Sequence, residues 1–223
     1  MARTPKRADR RTDALSRERI VQAAIELLDA EGEGGLTFRA LATRLATGAG
    51  AIYWHVAHKG ELLAATTDEI VAGAMNIARE DTAPADAIRA IALGLFDAID
   101  AHPWVGAQLS REPWQPAMVQ IFERIGVQLQ ALRVPEPAQF FAASTLVNYV
   151  IGVACQNAAN ARHPAHGGDR EALLATTAAR WSELDPAKFP FIRQMAEPLR
   201  GHDDREQFLA GIDLILAGIA AVR

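Results

Sequence analysis

The stretch from Leu36 to Leu63, LTFRALATRLATGAGAIYWHVAHKGELL, constrains this chain more than any other. It reads as two short helices, a tight turn and the start of a third helix. Thr37 can cap the first of them, because its hydroxyl can accept from an orphan backbone N–H. Leu36 and Leu41 then occupy the two ends of a hydrophobic staple. Phe38, Leu41, Ala42 and Leu45 recur at helical spacing and share one buried face, while Arg39, Thr43 and Arg44 point elsewhere. Thr47 or Gly48 can break that helix and open the next. Ile52 and Val56 stand four apart and face inward, which leaves Tyr53 and His55 facing out. Helices this short with so short a turn suggest a helix-turn-helix. Spacing alone also allows a helical hairpin that belongs to the core.

The same residues resemble the DNA-binding domain of the tetracycline repressor (TetR) family. The resemblance is densest in Ile52-Tyr53-Trp54-His55-Val56, Lys59 and Leu62-Leu63, with Leu36-Thr37, Arg39, Leu41-Ala42 and Leu45 in register ahead of them. It implies that Thr37 and Arg39 face DNA from the second helix. It places Thr47, Ala49, Gly50 and Ala51 at the front of the recognition helix, and Tyr53, His55 and Lys59 on phosphates. The chain departs from its relatives at Gly48-Ala49-Gly50-Ala51, which has no long polar side chain to read base edges. Direct readout then leans on Arg39, which can reach a guanine bidentately, and on methyl–thymine contacts from alanine. DNA shape supplies the rest. His55 and His58 are three apart, but only Glu61 stands near them as a further ligand, and no metal site is expected.

The charge distribution agrees with a basic module at the front. The net charge is −4, yet residues 1–60 hold 10 Lys and Arg against 7 Asp and Glu, and the remainder holds 13 against 20. Such an asymmetry fits a nucleic-acid module joined to something that does not touch nucleic acid. The single cysteine, Cys155, excludes an intramolecular disulfide and reads as a buried, inert thiol. The basic N-terminus has no apolar run behind it, so no signal peptide is read. The longest apolar stretches, Phe140–Cys155 and Leu209–Val222, are interrupted by Asn148 and Asp213 and are short for a membrane span. The expected compartment is the cytoplasm, with no membrane partner.

Three segments follow. Residues 1–15, with Arg3, Lys6, Arg7, Arg10 and Arg11 and no hydrophobic periodicity, read as a disordered basic arm. It either lies along DNA or merely solubilises. Residues 16–62 form the DNA-binding domain, with Ser16 capping a first helix whose stripe of Ile20, Ala24 and Leu27 backs the helix-turn-helix. Residues 63–223 form a second domain. The fourth helix runs from Lys59 to about Ile77 with no glycine between Gly60 in its first turn and Gly73 and no proline, so a continuous helix rather than a flexible linker joins the two. Beyond it no run alternates as a strand would. Helices are expected over about 84–100, 104–109, 117–132, 137–161, 169–184, 189–199 and 203–222, with a loop at His163–Gly168. The fold class is therefore all-α.

The C-terminal half loosely resembles the tetracycline-type branch of the family in Phe191-Ile192-Arg193-Gln194, His202 and the run Phe208 to Gly218. The resemblance implies a homodimer built on a four-helix bundle of the last helix and the helix through Phe140–Ala161. On the last helix Phe208, Ile212, Ile215 and Ile219 form one face, and Gly211 and Gly218 permit close approach; a buried core helix has the same pattern. Tetracycline-type relatives bind a drug–magnesium complex, but Asn148 and Gln156 stand where those relatives carry a histidine and a glutamate. Amides replace such ligands poorly, so no cofactor or metal is expected. What remains is an apolar interior. Its candidate ligand walls are Met75, Ile91, Leu95, Trp104, Gln108, Trp114, Phe122, Phe141, Asn148 and Gln156, and plain core packing accounts for its aromatics as well.

No G-x-S-x-G, P-loop or dinucleotide-binding glycine motif occurs, so no catalytic residue is assigned. The function expected is a transcriptional regulator, a repressor released from double-stranded operator DNA by a small apolar organic effector. A dimeric DNA-binding protein with a packed core, answering to a protein partner or to no ligand, is the alternative. An all-helical enzyme is the more distant one.

Overall fold

The computed structural model describes residues 15–76, 82–111, 114–162 and 170–222. The basic arm, apart from Leu15, and the loop expected at His163–Gly168 lie outside the described residues. Within them the regular structure is helical, with no strand: α1 (Arg17–Gly35), α2 (Phe38–Arg44), α3 (Ala49–Tyr53), α4 (Lys59–Met75), α5 (Pro84–Ala101), α6 (Pro103–Arg111), α7 (Pro116–Ala131), α8 (Glu136–Ala161), α9 (Arg170–Ser182), α10 (Pro190–Arg200) and α11 (Asp204–Ala221).

Local chemistry sets the helix ends. Ser16, Thr37, His58 and Asp203 cap α1, α2, α4 and α11, each accepting from the backbone N–H three residues on. Pro84, Pro116 and Pro190 open α5, α7 and α10, where the missing N–H costs nothing. Inside α1, Gly32 takes φ +67°, a left-handed conformation that interrupts the helix one turn before its end. Between α2 and α3, Ala46 is left-handed at φ +50°. There the Thr47 N–H donates to the Ala42 carbonyl and the Ala46 N–H to that of Thr43, so a Schellman turn closes α2. Arg133 ends α7 in the same way.

One apolar core runs through α1 to α8 and α11. α5 is central, packing on α4, α6, α7, α8 and α11. Ile88, Ile91, Leu95 and Ile99 of α5, Ile121 and Ile125 of α7, and Leu146 and Val150 of α8 are all buried where these three helices pack together. α8 is long and apolar enough to span a membrane by length and composition, but its apolar face packs on α5, α6, α7 and α11. α4 carries the chain from the three-helix front module into this core as an unbroken helix, and the expected boundary at 62/63 falls inside it. Thr66 and Thr67, buried on α4, both donate to the Leu63 carbonyl. α9 and α10 pack on each other outside the main core, leaving Phe189 and Phe191 exposed.

The face of α11 expected to meet a second subunit turns inward instead. Phe208 and Ile212 are 0% exposed and Ile219 6%, because they fill the chain's own core. Phe208 lies between Phe96 of α5 and Tyr149 of α8, with ring centroids 4.6 and 5.7 Å away. Gly211 does permit a close approach, but of Tyr149, whose hydroxyl donates to the Phe208 carbonyl at 3.2 Å. Ile215 is half-buried and Gly218 exposed; the large apolar residue that points outward is Leu214, 75% exposed.

Candidate nucleic-acid interface

α2 and α3 are held against α1 by a small core of Leu36, Leu41, Ile52 and Val56, each at most 1% exposed. Arg44 of α2 pairs with Glu26 of α1 and fixes the rear of the module. The residues expected to meet DNA are exposed to differing degrees. Thr37, Arg39, Gly50 and Tyr53 are exposed, and Thr47, Ala49, Ala51 and His55 are half-buried. The Thr37 hydroxyl accepts from the Ala40 N–H at 3.0 Å, which leaves its own proton free to donate to a phosphate. α3 is five residues long and presents only Ala49, Gly50 and Ala51 at its front, so its backbone can come close to a groove floor. Tyr53 closes α3, and its ring stacks on Phe38 of α2 with centroids 4.4 Å apart and planes 5° from parallel.

Two residues at the start of α4 take structural duties. His58 caps α4 by accepting from the Glu61 N–H at 3.0 Å, while the Glu61 carboxylate accepts from the Ala57 N–H at 2.8 Å. Lys59, expected on a phosphate, is half-buried and donates to the Glu33 carbonyl at the end of α1, 2.5 Å away. An ammonium has three donors, so two remain for DNA. Sequence reasoning passed over Trp54, which caps α3 at 90% exposure beside Tyr53. The signal was available: in this stretch Ile52 and Val56 take the inward positions and leave the indole no inward place.

The ten expected ligand residues do not converge. Met75, Ile91 and Leu95, at most 3% exposed, are packed core. Trp114 and Phe141 are 89% and 71% exposed. Asn148 and Gln156 are exposed as well, because they lie on the outer side of α8, and Phe122 is half-buried. Trp104 and Gln108 are buried, yet their polar ends turn to α1 rather than to the interior. Trp104 Nε1 donates to Asp29 at 2.7 Å, and His102 Nδ1 lies 2.8 Å from the same oxygen. Gln108 Nε2 donates to Glu33 at 3.2 Å, and Arg111 pairs with that carboxylate at 2.5 Å. α6 therefore grips the end of α1 through two carboxylates, a polar latch between the helical domain and the DNA-facing module.

A cleft of about 800 Å³ opens between α1 and α4, with Pro116 and Gln120 of α7 at one end. None of the ten residues lines it. Asp68 does, and burial pushes its carboxyl above the usual range, against the opposing effects of the Ala117 backbone N–H and Arg17. Among the described residues no three histidine, cysteine or carboxylate side chains gather as a metal site.

A capped, latched helix-turn-helix ahead of a helical domain defines a class, the one-component DNA-binding regulators. The family profile "Bacterial regulatory proteins, tetR family" matches residues 20–74, and "Tetracyclin repressor-like, C-terminal domain" matches residues 80–223. The chain belongs to the tetracycline repressor family. It is similar to the transcriptional regulator SCO7222, a TetR from Streptomyces coelicolor, at 54% identity and a TM-score of 0.87, over 94% of this chain and 99% of that one. A regulator of the helix-turn-helix type from Saccharopolyspora erythraea is 29% identical over 97% of this chain and 89% of its own length. The Streptomyces coelicolor family protein ActR, solved in complex with (S)-DNPA, is 25% identical with a TM-score of 0.74, over 94% and 98% of the two chains.

Proposed function

We propose that this protein is a homodimeric repressor whose hold on operator DNA is released by a small, largely apolar organic effector. The observation that carries the reading is the latch. Asp29 and Glu33 stand on the helix that backs the helix-turn-helix; of their partners, Trp104, Gln108 and Arg111 stand on α6 and His102 just ahead of it. Anything that displaces α6 changes the orientation of the DNA-facing surface. The effector acts only through its different affinities for the two orientations. We place its seat among α5 to α8; that a family member can be solved in complex with an added compound is shown by the relative ActR with (S)-DNPA. Thr37, Arg39 and Tyr53 contact operator DNA, joined by Trp54, with Lys59 and His55 at its edge.

The alternative of a packed core that takes no ligand has one observation in its favour, the close packing of Met75, Ile91 and Leu95. One experiment separates the two. A duplex selected by the protein from a random pool is used in anisotropy titrations, with and without apolar aromatic compounds. Release of the duplex at compound concentrations that also quench Trp104 is the expected result. DNA affinity indifferent to every compound that binds supports the packed-core reading. On the same duplex Arg39→Ala relaxes preference at one base pair by about 1–3 kcal/mol.

A further inference from the structure

We propose that Phe38 is a positioning residue for DNA recognition, acting through the ring of Tyr53. The inference rests on the reading that Tyr53 contacts DNA. Phe38 is the first residue of α2, between the exposed Thr37 and Arg39. The phenyl ring packs in part against the core closed by Leu36, Leu41 and Ile52. It is half-buried, and it also stacks on Tyr53, with centroids 4.4 Å apart and planes 5° from parallel. Tyr53 is 54% exposed, and its hydroxyl has no hydrogen-bond partner among the described residues. Without a flat partner its ring would sample several rotamers, and DNA binding would have to order it. The stack orders it beforehand.

The stack matters more here than in a recognition helix rich in polar side chains. α3 offers DNA only small residues along Gly48-Ala49-Gly50-Ala51, so few groups fix its register on the duplex. Tyr53 is the one hydroxyl at its C-terminal end. A ring tied to α2 on one face and to α3 through its own backbone also holds the two helices at a set angle.

The test is a double-mutant cycle on the selected duplex, with thermal midpoints and the salt dependence of binding recorded for each variant. Phe38→Leu keeps the apolar volume and removes the stack; Phe38→Tyr keeps the stack. Phe38→Leu is expected to weaken binding roughly 3- to 10-fold, the range an aromatic pair contributes. The midpoint and the salt slope should stay near wild type, because no phosphate charge is lost. Phe38→Tyr should restore affinity. In the Tyr53→Leu background Phe38→Leu should have no further effect. If it weakens binding there as much as in wild type, Phe38 acts without Tyr53 and the proposal is overturned. Unchanged affinity in Phe38→Leu alone overturns it too, while a Tyr53→Leu that still weakens binding leaves the DNA contact standing. If Tyr53→Leu itself binds as wild type does, the assigned contact fails, and this proposal with it. A fallen midpoint or altered salt slope in Phe38→Leu would show a disturbed module rather than a misplaced ring, and would count against it.

Discussion

Asp68 is where a single side chain sets a measurable property of the molecule. One of its oxygens is buried without a hydrogen-bond partner, and the carboxyl is pushed up by burial. The folded chain therefore disfavours the ionised form relative to the unfolded chain. That penalty is complete above the raised folded value. It shrinks as pH falls through that value, and is gone below the unfolded value of about 3.9. Asp68→Asn keeps an acceptor for the Ala117 N–H and removes the charge. Denaturation of the two proteins in parallel should show wild type gaining on Asp68→Asn as pH is lowered from 7 towards the unfolded value. A constant difference between them would mean that the carboxylate is already comfortable. At this scale the sequence was only partly legible. Leu36, Thr37, Leu41, Ile52 and Val56 take their expected roles because those roles depend on neighbours within a few positions. Trp104 and Gln108 do not, because the carboxylates they meet lie 75 residues earlier in the chain.

Among elements, α11 is the instructive case. Its boundaries could be read from Asp203 and from the apolar period, since capping and periodicity are local. Its orientation could not, because a helix apolar on several sides fits either a core or a partner. Packing decided the matter through Gly211. A β-carbon there would stand 1.8 Å from the Tyr149 hydroxyl, and the Tyr149 ring, stacked on Phe208, has little freedom to withdraw. Gly211→Ala should therefore part α11 from α8 and cost about 1–3 kcal/mol, as overpacked cores do. Calorimetry checks this, with Gly218→Ala as the comparison within one chain, since nothing lies within 4 Å of a β-carbon there. A Gly211→Ala protein as stable as wild type would show that Tyr149 yields easily. The same rule governs α6: its helical character follows from its own residues, whereas its attachment to α1 follows from residues that folding brings to it.

For the whole molecule, the proposed dimer must form on surfaces left bare by the chain's own packing. Phe140 and Phe141 of α8, Leu214 of α11 and Phe191 of α10 are each 65% or more exposed, and the Phe140 and Phe141 rings lie 6.0 Å apart. Leu214→Glu should leave the helical content and the monomer fold intact while abolishing association in sedimentation. Ile215→Glu, on a half-buried position, should also disturb the monomer. A Leu214→Glu protein that still sediments as a dimer would move the interface elsewhere.

The latch between α6 and α1 has a consequence for the gene such a protein would control. A few hydrogen bonds to two partly exposed carboxylates are a modest bias, not a rigid weld. Suppose that they favour the DNA-ready orientation by about 2.8 kcal/mol, on the order of two bonds to charged groups. About one molecule in a hundred then points the wrong way at any moment with no effector present. That fraction is the leak of the promoter. It is set at Asp29 and Glu33, on neither the recognition helix nor the helical interior, so selection could raise or lower basal expression there without retuning the operator or the inducer.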